Sequence, residues 1–178
     1  MFAQTLSGKA SRLAAAALCA APLLAGAPKA EAVEAYYSAY ACHAVDQFGR
    51  QTHDIRFTEG VAANFNQDTP LYLHCPVPFD RGGANQPSIS VRVQGFDNTD
   101  DDAIVLRLCQ RQNSGQSSTC TAAASSGAGF QNGFATLTRT IEPSPSTRWI
   151  YARIEVPDQD AQSGRSYVIG YRVCRGGC

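Results

Sequence analysis

The sequence has few charged residues and no excess of either sign: 15 basic and 15 acidic residues, together 17% of its 178 residues. Proteins that hold nucleic acid by its phosphates present an excess of basic residues, so this balance excludes nucleic acid as a partner. Intrinsic disorder is excluded as well, because 44% of the residues are hydrophobic and can form a packed core. The length fits one domain.

The motifs of common enzyme classes are also missing. The sequence contains no G-x-S-x-G, no H-E-x-x-H, no G-x-x-x-x-G-K-S/T and no G-x-G-x-x-G. We therefore predict a protein that binds a ligand rather than an enzyme, and we expect no cofactor. A secreted hydrolase that uses loop carboxylates is the least favoured hypothesis.

Only the first 32 residues contain a long hydrophobic run. Lys9 and Arg12 precede an apolar segment from Leu13 to Leu24, and Ala32 ends a small-x-small cleavage pattern. The apolar segment is too short for the ~20 residues that span a membrane. We predict a Sec-type signal peptide over residues 1–32 and a secreted or periplasmic protein with no membrane span.

The predicted mature chain, residues 33–178, has 12 arginines, no lysine, 14 acidic residues and six cysteines. An even number of cysteines in an exported chain indicates disulfides, here three. The predicted pairs are Cys109–Cys120, Cys42–Cys75 and Cys174–Cys178. The first pair closes a hairpin-like segment, and a competing set joins Cys42 or Cys75 to the C-terminal cysteines.

Apolar and polar residues alternate along much of the mature chain, which is typical of half-buried β-strands. The segments are 88–96, 103–109, 133–141, 149–156 and 166–174, with weaker alternation over 36–45, 71–77 and 119–124. About eight short strands separated by turns predict an all-β fold, a two-sheet antiparallel β-sandwich of the jelly-roll type. An immunoglobulin-like sandwich is the alternative. Residues 46–69 alternate poorly and predict a long loop or a short helix.

Three short motifs carry a resemblance to a known group of proteins. They are Leu-His-Cys-Pro-Val at 73–77, Ser-Val-Arg-Val-Gln-Gly-Phe-Asp-Asn at 90–98 and Ser-Tyr-Val-Ile-Gly-Tyr-Arg-Val at 166–173. In this order they are similar to uncharacterised secreted bacterial proteins with one disulfide-bearing β-sandwich domain. The resemblance implies the fold and no activity.

The aromatic residues of segment 149–156 are the candidate ligand-binding residues. If the aliphatic residues of this segment face the core, then Trp149, Tyr151 and Arg153 project from its outer face. Exposed rings can stack on sugars, so we predict a carbohydrate- or cell-surface-binding module. Alternatives are that Trp149 closes one end of the sandwich, or that an inverted register buries both rings.

A second hypothesis makes the protein a structural or interaction protein of the cell exterior with no small-molecule site. Exposure of Trp149 distinguishes this hypothesis from glycan binding. Tyr36, Tyr37 and Tyr40 either extend the same aromatic patch or hold the first strand in place.

Two clusters suggest metal ligands. Asp97, Asp100 and Asp102 lie in one acidic loop and offer oxygen ligands for calcium, although an acidic β-turn is the favoured interpretation. A Cys42–Cys75 bond between opposed residues of antiparallel strands would also oppose His43 to His74. That pair could bind a transition metal with His53 or Asp54 as a third ligand, but a metal-free pair is favoured.

Overall fold

The long strands form where the sequence alternates. The computed structural model describes residues 34–46, 55–58, 60–79, 86–99, 102–112, 118–127, 133–159 and 164–177. The strands are β1 Glu34–Ser38, β2 His43–Val45, β3 Ile55–Thr58, β4 Val61–Asn64, β5 Leu71–Val77, β6 Ile89–Asp97, β7 Val105–Gln112, β8 Ser118–Cys120, β9 Ala124–Ser125, β10 Gly133–Ile141, β11 Thr147–Val156 and β12 Tyr167–Arg175. A 3-10 turn, Ala39–Ala41, separates β1 from β2. The predicted signal peptide lies outside the described residues.

The strands form two antiparallel sheets. Sheet one has the order β10-β6-β12-β4-β3, with β1 also paired to β12, and sheet two has the order β2-β5-β11-β7-β8, with β9 also paired to β7. The six long strands β5, β6, β7, β10, β11 and β12 alternate between the two sheets along the chain. The predicted two-sheet antiparallel sandwich is therefore confirmed, and the alternation favours the jelly roll over the immunoglobulin-like alternative.

The core lies between the sheets. It contains the aliphatic residues that the alternation assigns to the inner faces, among them Leu73, Leu106, Leu108 and Ile154 from sheet two and Val91, Val93 and Val168 from sheet one. Tyr171 links the sheets, because its hydroxyl donates a hydrogen bond to the carbonyl of Pro76 at 2.8 Å. Burial raises the pKa of the Tyr171 phenol far above its ordinary value, so this group stays neutral.

The short strands differ most from the sequence-based prediction. Residues 36–45 were expected to form one strand, but the 3-10 turn divides them into β1 in sheet one and β2 in sheet two. The loop or short helix predicted over 46–69 is wrong where this stretch is described, because β3 and β4 form an antiparallel hairpin. The described residues consequently hold twelve strands rather than about eight. None of their helices is long and apolar enough to cross a membrane.

Strand β12 contains a bulge that the sequence does not predict. Its pairing with β6 shifts between Val168 and Gly170, so Ile169 is an extra residue on the β12 side. Val168 is therefore fully buried, and Tyr167 lies on the outer face, where its ring stacks on Phe96. The unbroken alternation predicted for this strand is wrong at its start.

Two disulfides lie within the described residues, and both are among the predicted pairs. Cys42 bonds to Cys75 on the inner face of sheet two, and Cys109 bonds to Cys120 between β7 and β8. By loop-closure entropy they stabilise the fold by about 3.8 and about 2.8 kcal/mol. Cys174 is also disulfide-bonded, and its predicted partner, Cys178, lies outside the described residues.

Candidate functional site

The outer face of sheet two carries the three residues predicted to bind a ligand. Trp149, Tyr151 and Arg153 project outward from β11, because Ile150 and Ala152 between them are buried in the core. Trp149 is 42% exposed, which decides against the inverted register that would bury both rings. We call these three outward side chains the Trp149 face.

The Trp149 ring has cationic neighbours. The guanidinium carbons of Arg148 and Arg111 lie 5.2 and 5.6 Å from its ring centre. Both distances fall within the range of cation–π attraction, which is worth about 0.5–1 kcal/mol at exposed sites. A ligand that stacked on Trp149 would therefore have to share or displace these contacts.

The other two side chains of the Trp149 face are partly covered by neighbours from β5. The Tyr151 ring lies 4.8 Å from the His74 ring, and the Arg153 guanidinium lies 4.5 Å from the centre of the Tyr72 ring. The hollow beside Arg153 and Glu155 has a volume of only about 100 Å³. This face thus offers a ligand one half-exposed ring and little depth.

The predicted opposition of two histidines is confirmed: His43 pairs with His74 in the register of β2 and β5. Burial, the Arg153 guanidinium and His43 lower the pKa of the His74 imidazole, in that order of importance. The same guanidinium would repel a metal cation. The described residues contain no group of three or more His, Cys, Asp or Glu side chains placed to hold a metal, and His53 and Asp54 are not among them.

Asp97, one of the predicted calcium ligands, is fully buried at the end of β6. Its Oδ1 accepts hydrogen bonds from the Thr99 amide and hydroxyl and from the Ser166 hydroxyl, at 3.0–3.3 Å. Its Oδ2 accepts from the Ile104 amide at 3.3 Å and from the Ser126 hydroxyl. This carboxylate is thus already occupied by protein donors.

The acidic loop that follows Asp97 is described only in part. Asp102 is exposed, and its backbone carbonyl accepts a hydrogen bond from the Thr99 hydroxyl at 2.9 Å. Asp100 lies outside the described residues. The arrangement favours a structural turn over a calcium site.

A groove on the outer face of sheet one lies outside every predicted site. It has a volume of about 360 Å³. Its outward-facing lining consists of Tyr36, Ser38, Arg92, Gln94, Ile169 and Arg172, from β1, β6 and β12, and we call it the sheet-one groove. The bulge at Ile169 and Gly170 both lie along its lining, and β1 packs closely against Gly170. The alternation of β6 puts Arg92 and Gln94 on the outer face, but nothing in the sequence shows that β12 and then β1 follow β6 in the sheet.

Basic side chains line the sheet-one groove. Arg92 and Arg172 are directly opposed across β6 and β12. Arg172 pairs with the Glu34 carboxylate and lies 5.1 Å from the Tyr36 ring centre. The Nε atoms of both arginines are buried without a hydrogen-bond partner. The site therefore combines an exposed ring with unsatisfied donors.

Aromatic side chains also flank this groove. Tyr36 is 73% exposed at one end, and Phe134 on β10 is 71% exposed beyond the other. Phe134 forms a T-shaped pair with Phe96, and Phe96 stacks on Tyr167, each pair at a centroid distance of 5.3 Å. The outer face of sheet one thus presents two well-exposed rings with polar groups between them.

Tyr36 and Trp149 lie on different sheets, so the hypothesis that the N-terminal tyrosines extend the Trp149 patch is wrong. Tyr37 stacks on Tyr171 at a centroid distance of 5.0 Å. Tyr40 stacks on Phe57 at 5.2 Å, and its hydroxyl accepts a hydrogen bond from the Gly60 amide. These two residues therefore hold the N-terminal segment in place.

Comparison with known proteins identifies the fold. No family model and no curated protein matches this chain. Among solved structures, a xylan-binding module, CBM15, has a TM-score of 0.50 at 12% identity and covers 82% of this chain and 97% of its own. The C-terminal CBM6 of LamC from Zobellia galactanivorans has a TM-score of 0.46 at 14% identity, covering 80% of this chain and 100% of its own. At 12% identity the likeness to CBM15 shows a jelly-roll sandwich and supports the resemblance to sandwich proteins for the fold alone.

Proposed function

We propose that this protein is a carbohydrate-binding module and that its ligand lies in the sheet-one groove. The groove is the observation that carries the proposal, since a concave site with a few convergent polar groups is the usual form of a small-molecule site. The jelly-roll fold, which this chain shares with a xylan-binding module, is consistent with it. The two disulfides fit an exported protein, the setting in which we place it.

Two features of the sheet-one face suit a sugar. Tyr36 and Phe134 expose about 70% of their surface, so each ring can offer a face to the apolar side of a pyranose, although the Arg172 guanidinium lies near one side of Tyr36. Between them, Arg92 and Gln94 supply donors and acceptors for hydroxyl groups. Arg92 and Phe96 are four residues apart on β6, so the face extends about 13 Å along the strand, enough for more than one sugar unit.

The Trp149 face is the second candidate surface for the same function. It carries the residues predicted from the sequence, Trp149, Tyr151 and Arg153. Its ring is less exposed than Tyr36, 42% against 73%, and two guanidinium groups already lie near it. We therefore rank it below the groove.

A pair of matched substitutions tests the proposal. A glycan array, run with and without calcium, first identifies a bound glycan, and calorimetry then compares Tyr36→Ala with Trp149→Ala. We expect Tyr36→Ala to weaken binding about ten-fold, because the stacking surface is lost, and Trp149→Ala to leave it unchanged. The reverse result would place the site on the Trp149 face. An array with no bound glycan would contradict glycan binding and favour an interaction protein without a small-molecule site.

A further inference from the structure

The two arginines of the sheet-one groove lie close enough for their like charges to repel each other. Directly opposed residues on antiparallel strands have Cβ atoms about 4.5–5.5 Å apart, and like charges in that position destabilise the pair. Arg92 and Arg172 occupy such a position. A nearby negative charge is therefore needed to offset the repulsion between the two guanidinium groups.

The part of the chain that the structure describes supplies only some of that compensation. Glu34 forms an ion pair with Arg172. Within the described ranges, no carboxylate pairs with Arg92. The buried Nε atoms of both arginines also lack acceptors, and a buried donor without a partner costs about 1–3 kcal/mol. Counted over the described residues, two guanidinium groups and one carboxylate leave the groove with a single uncompensated positive charge.

This charge matches one kind of group on a ligand. A carboxylate is planar and carries one negative charge, and guanidinium groups bind it through paired N–H donors. A phosphate monoester, with a charge of about −1.5 to −2, would exceed the single positive charge that is available. The neighbouring Tyr36 ring would hold the sugar that bears the carboxylate.

We propose that the sheet-one groove binds saccharides of the uronic acid class, with the sugar carboxylate held by Arg92 and Arg172. This proposal rests on the proposed function and specifies its ligand. Gln94, exposed beside Arg92, is placed to contact a hydroxyl group of the same ring. Ser38 contributes less, because its hydroxyl already donates to the carbonyl of Gly60.

The test uses polymers that differ only in charge. Polygalacturonate, alginate and hyaluronan are compared with their methyl esters, in which the carboxylates are neutralised, by calorimetry on the full chain. We expect at least one acid form to bind about ten-fold more tightly than its ester, since a charge-assisted contact is lost on esterification. Arg92→Gln should abolish this preference. Arg107→Gln, a matched loss of charge at an exposed position of β7 on the other sheet, should keep it.

A second variant separates charge from geometry. Arg92→Lys keeps the charge but not the planar fork and should lose most of the preference, and thermal unfolding checks that both variants fold. Equal binding of acid and ester with neutral glycans bound would overturn the uronate proposal and leave the proposed function standing. Equal binding of dextran sulfate would overturn it as non-specific polyanion binding. Binding of no glycan at all would overturn both.

Discussion

His74 lies between an imidazole and a guanidinium group on the outer face of sheet two. It pairs with His43 on one side and with Arg153 on the other. Burial, Arg153 and His43 lower its pKa below the ordinary value of 6.5, so the folded protein favours the neutral imidazole. The unfolded chain consequently binds more protons than the folded one at pH values between the two pKa values. The stability contributed by neutral His74 is complete above pH ~6.5 and is lost as the pH falls through the lowered pKa.

Replacing His74 tests this linkage. We expect His74→Gln to flatten the loss of unfolding free energy as the pH falls below ~6.5, because the group that must be protonated is gone. Denaturant unfolding at several pH values measures the effect. His43→Gln is the matched control, since His43 is the smallest of the three causes and most of the acid sensitivity should remain. Parallel pH profiles for the protein and His74→Gln would contradict the linkage.

The sequence predicts which residues lie opposite each other where one bond determines the register of two strands. A bond between Cys42 and Cys75 determines the register of β2 and β5, and that register opposes the two histidines. The sheet-one groove could not be predicted in this way. Arg92 and Arg172 are 80 positions apart, and only the pairing of β6 with β12 brings them together. No local pattern carries that information.

At the scale of strands, the bulge in β12 determines where the groove lies. Gly170 follows the extra residue and faces β1 so closely that a Cβ built on it would lie 2.5 Å from the carbonyl oxygen of Tyr37. Glycine is therefore required here by the approach of a neighbouring backbone. The same approach places Tyr36 and Glu34 of β1 beside Arg172.

We expect Gly170→Ala to lower the free energy of unfolding by about 1–3 kcal/mol, because β1 must move away from β12. The same substitution should weaken glycan binding, since β1 carries Tyr36. Thr138→Ala, on the exposed face of β10, is the control and should change the stability by less than about 0.5 kcal/mol. Denaturant unfolding and calorimetry give the two readouts. If Gly170→Ala changed the stability and the glycan binding no more than Thr138→Ala does, the close approach of β1 to Gly170 would have no energetic role.

The strands that alternation predicts are those with one buried and one exposed face, such as β6 and β11. In β4, three consecutive residues, Ala62, Ala63 and Asn64, are buried. No period of two marks this strand, and the prediction over 46–69 fails there for that reason. Asn64 is buried because its side-chain amide donates to the carbonyls of Val156 and Pro157, contacts that depend on tertiary structure.

At the scale of the whole molecule, Asp97 connects the two sheets at one end of the sandwich. It ends β6 of sheet one and accepts from Ser166, which precedes β12 of the same sheet. It also accepts from Ile104 and Ser126, which flank β7 and β9 of sheet two. Buried polar groups with complete sets of partners hold such segments in a unique arrangement.

Asp97→Asn should therefore destabilise the whole domain. The amide group replaces one acceptor oxygen with a donor that faces other donors, so we expect a loss of about 3 kcal/mol and a Tm lower by about 6–12 °C. Asp68→Asn, in an exposed loop, is the matched control and should melt like the unsubstituted protein. Calorimetry with added calcium or with a chelator separates the two roles considered for this residue. Because protein donors already occupy both carboxylate oxygens, we expect calcium to leave the Tm unchanged, and a calcium-dependent rise that Asp97→Asn removes would assign a calcium site instead.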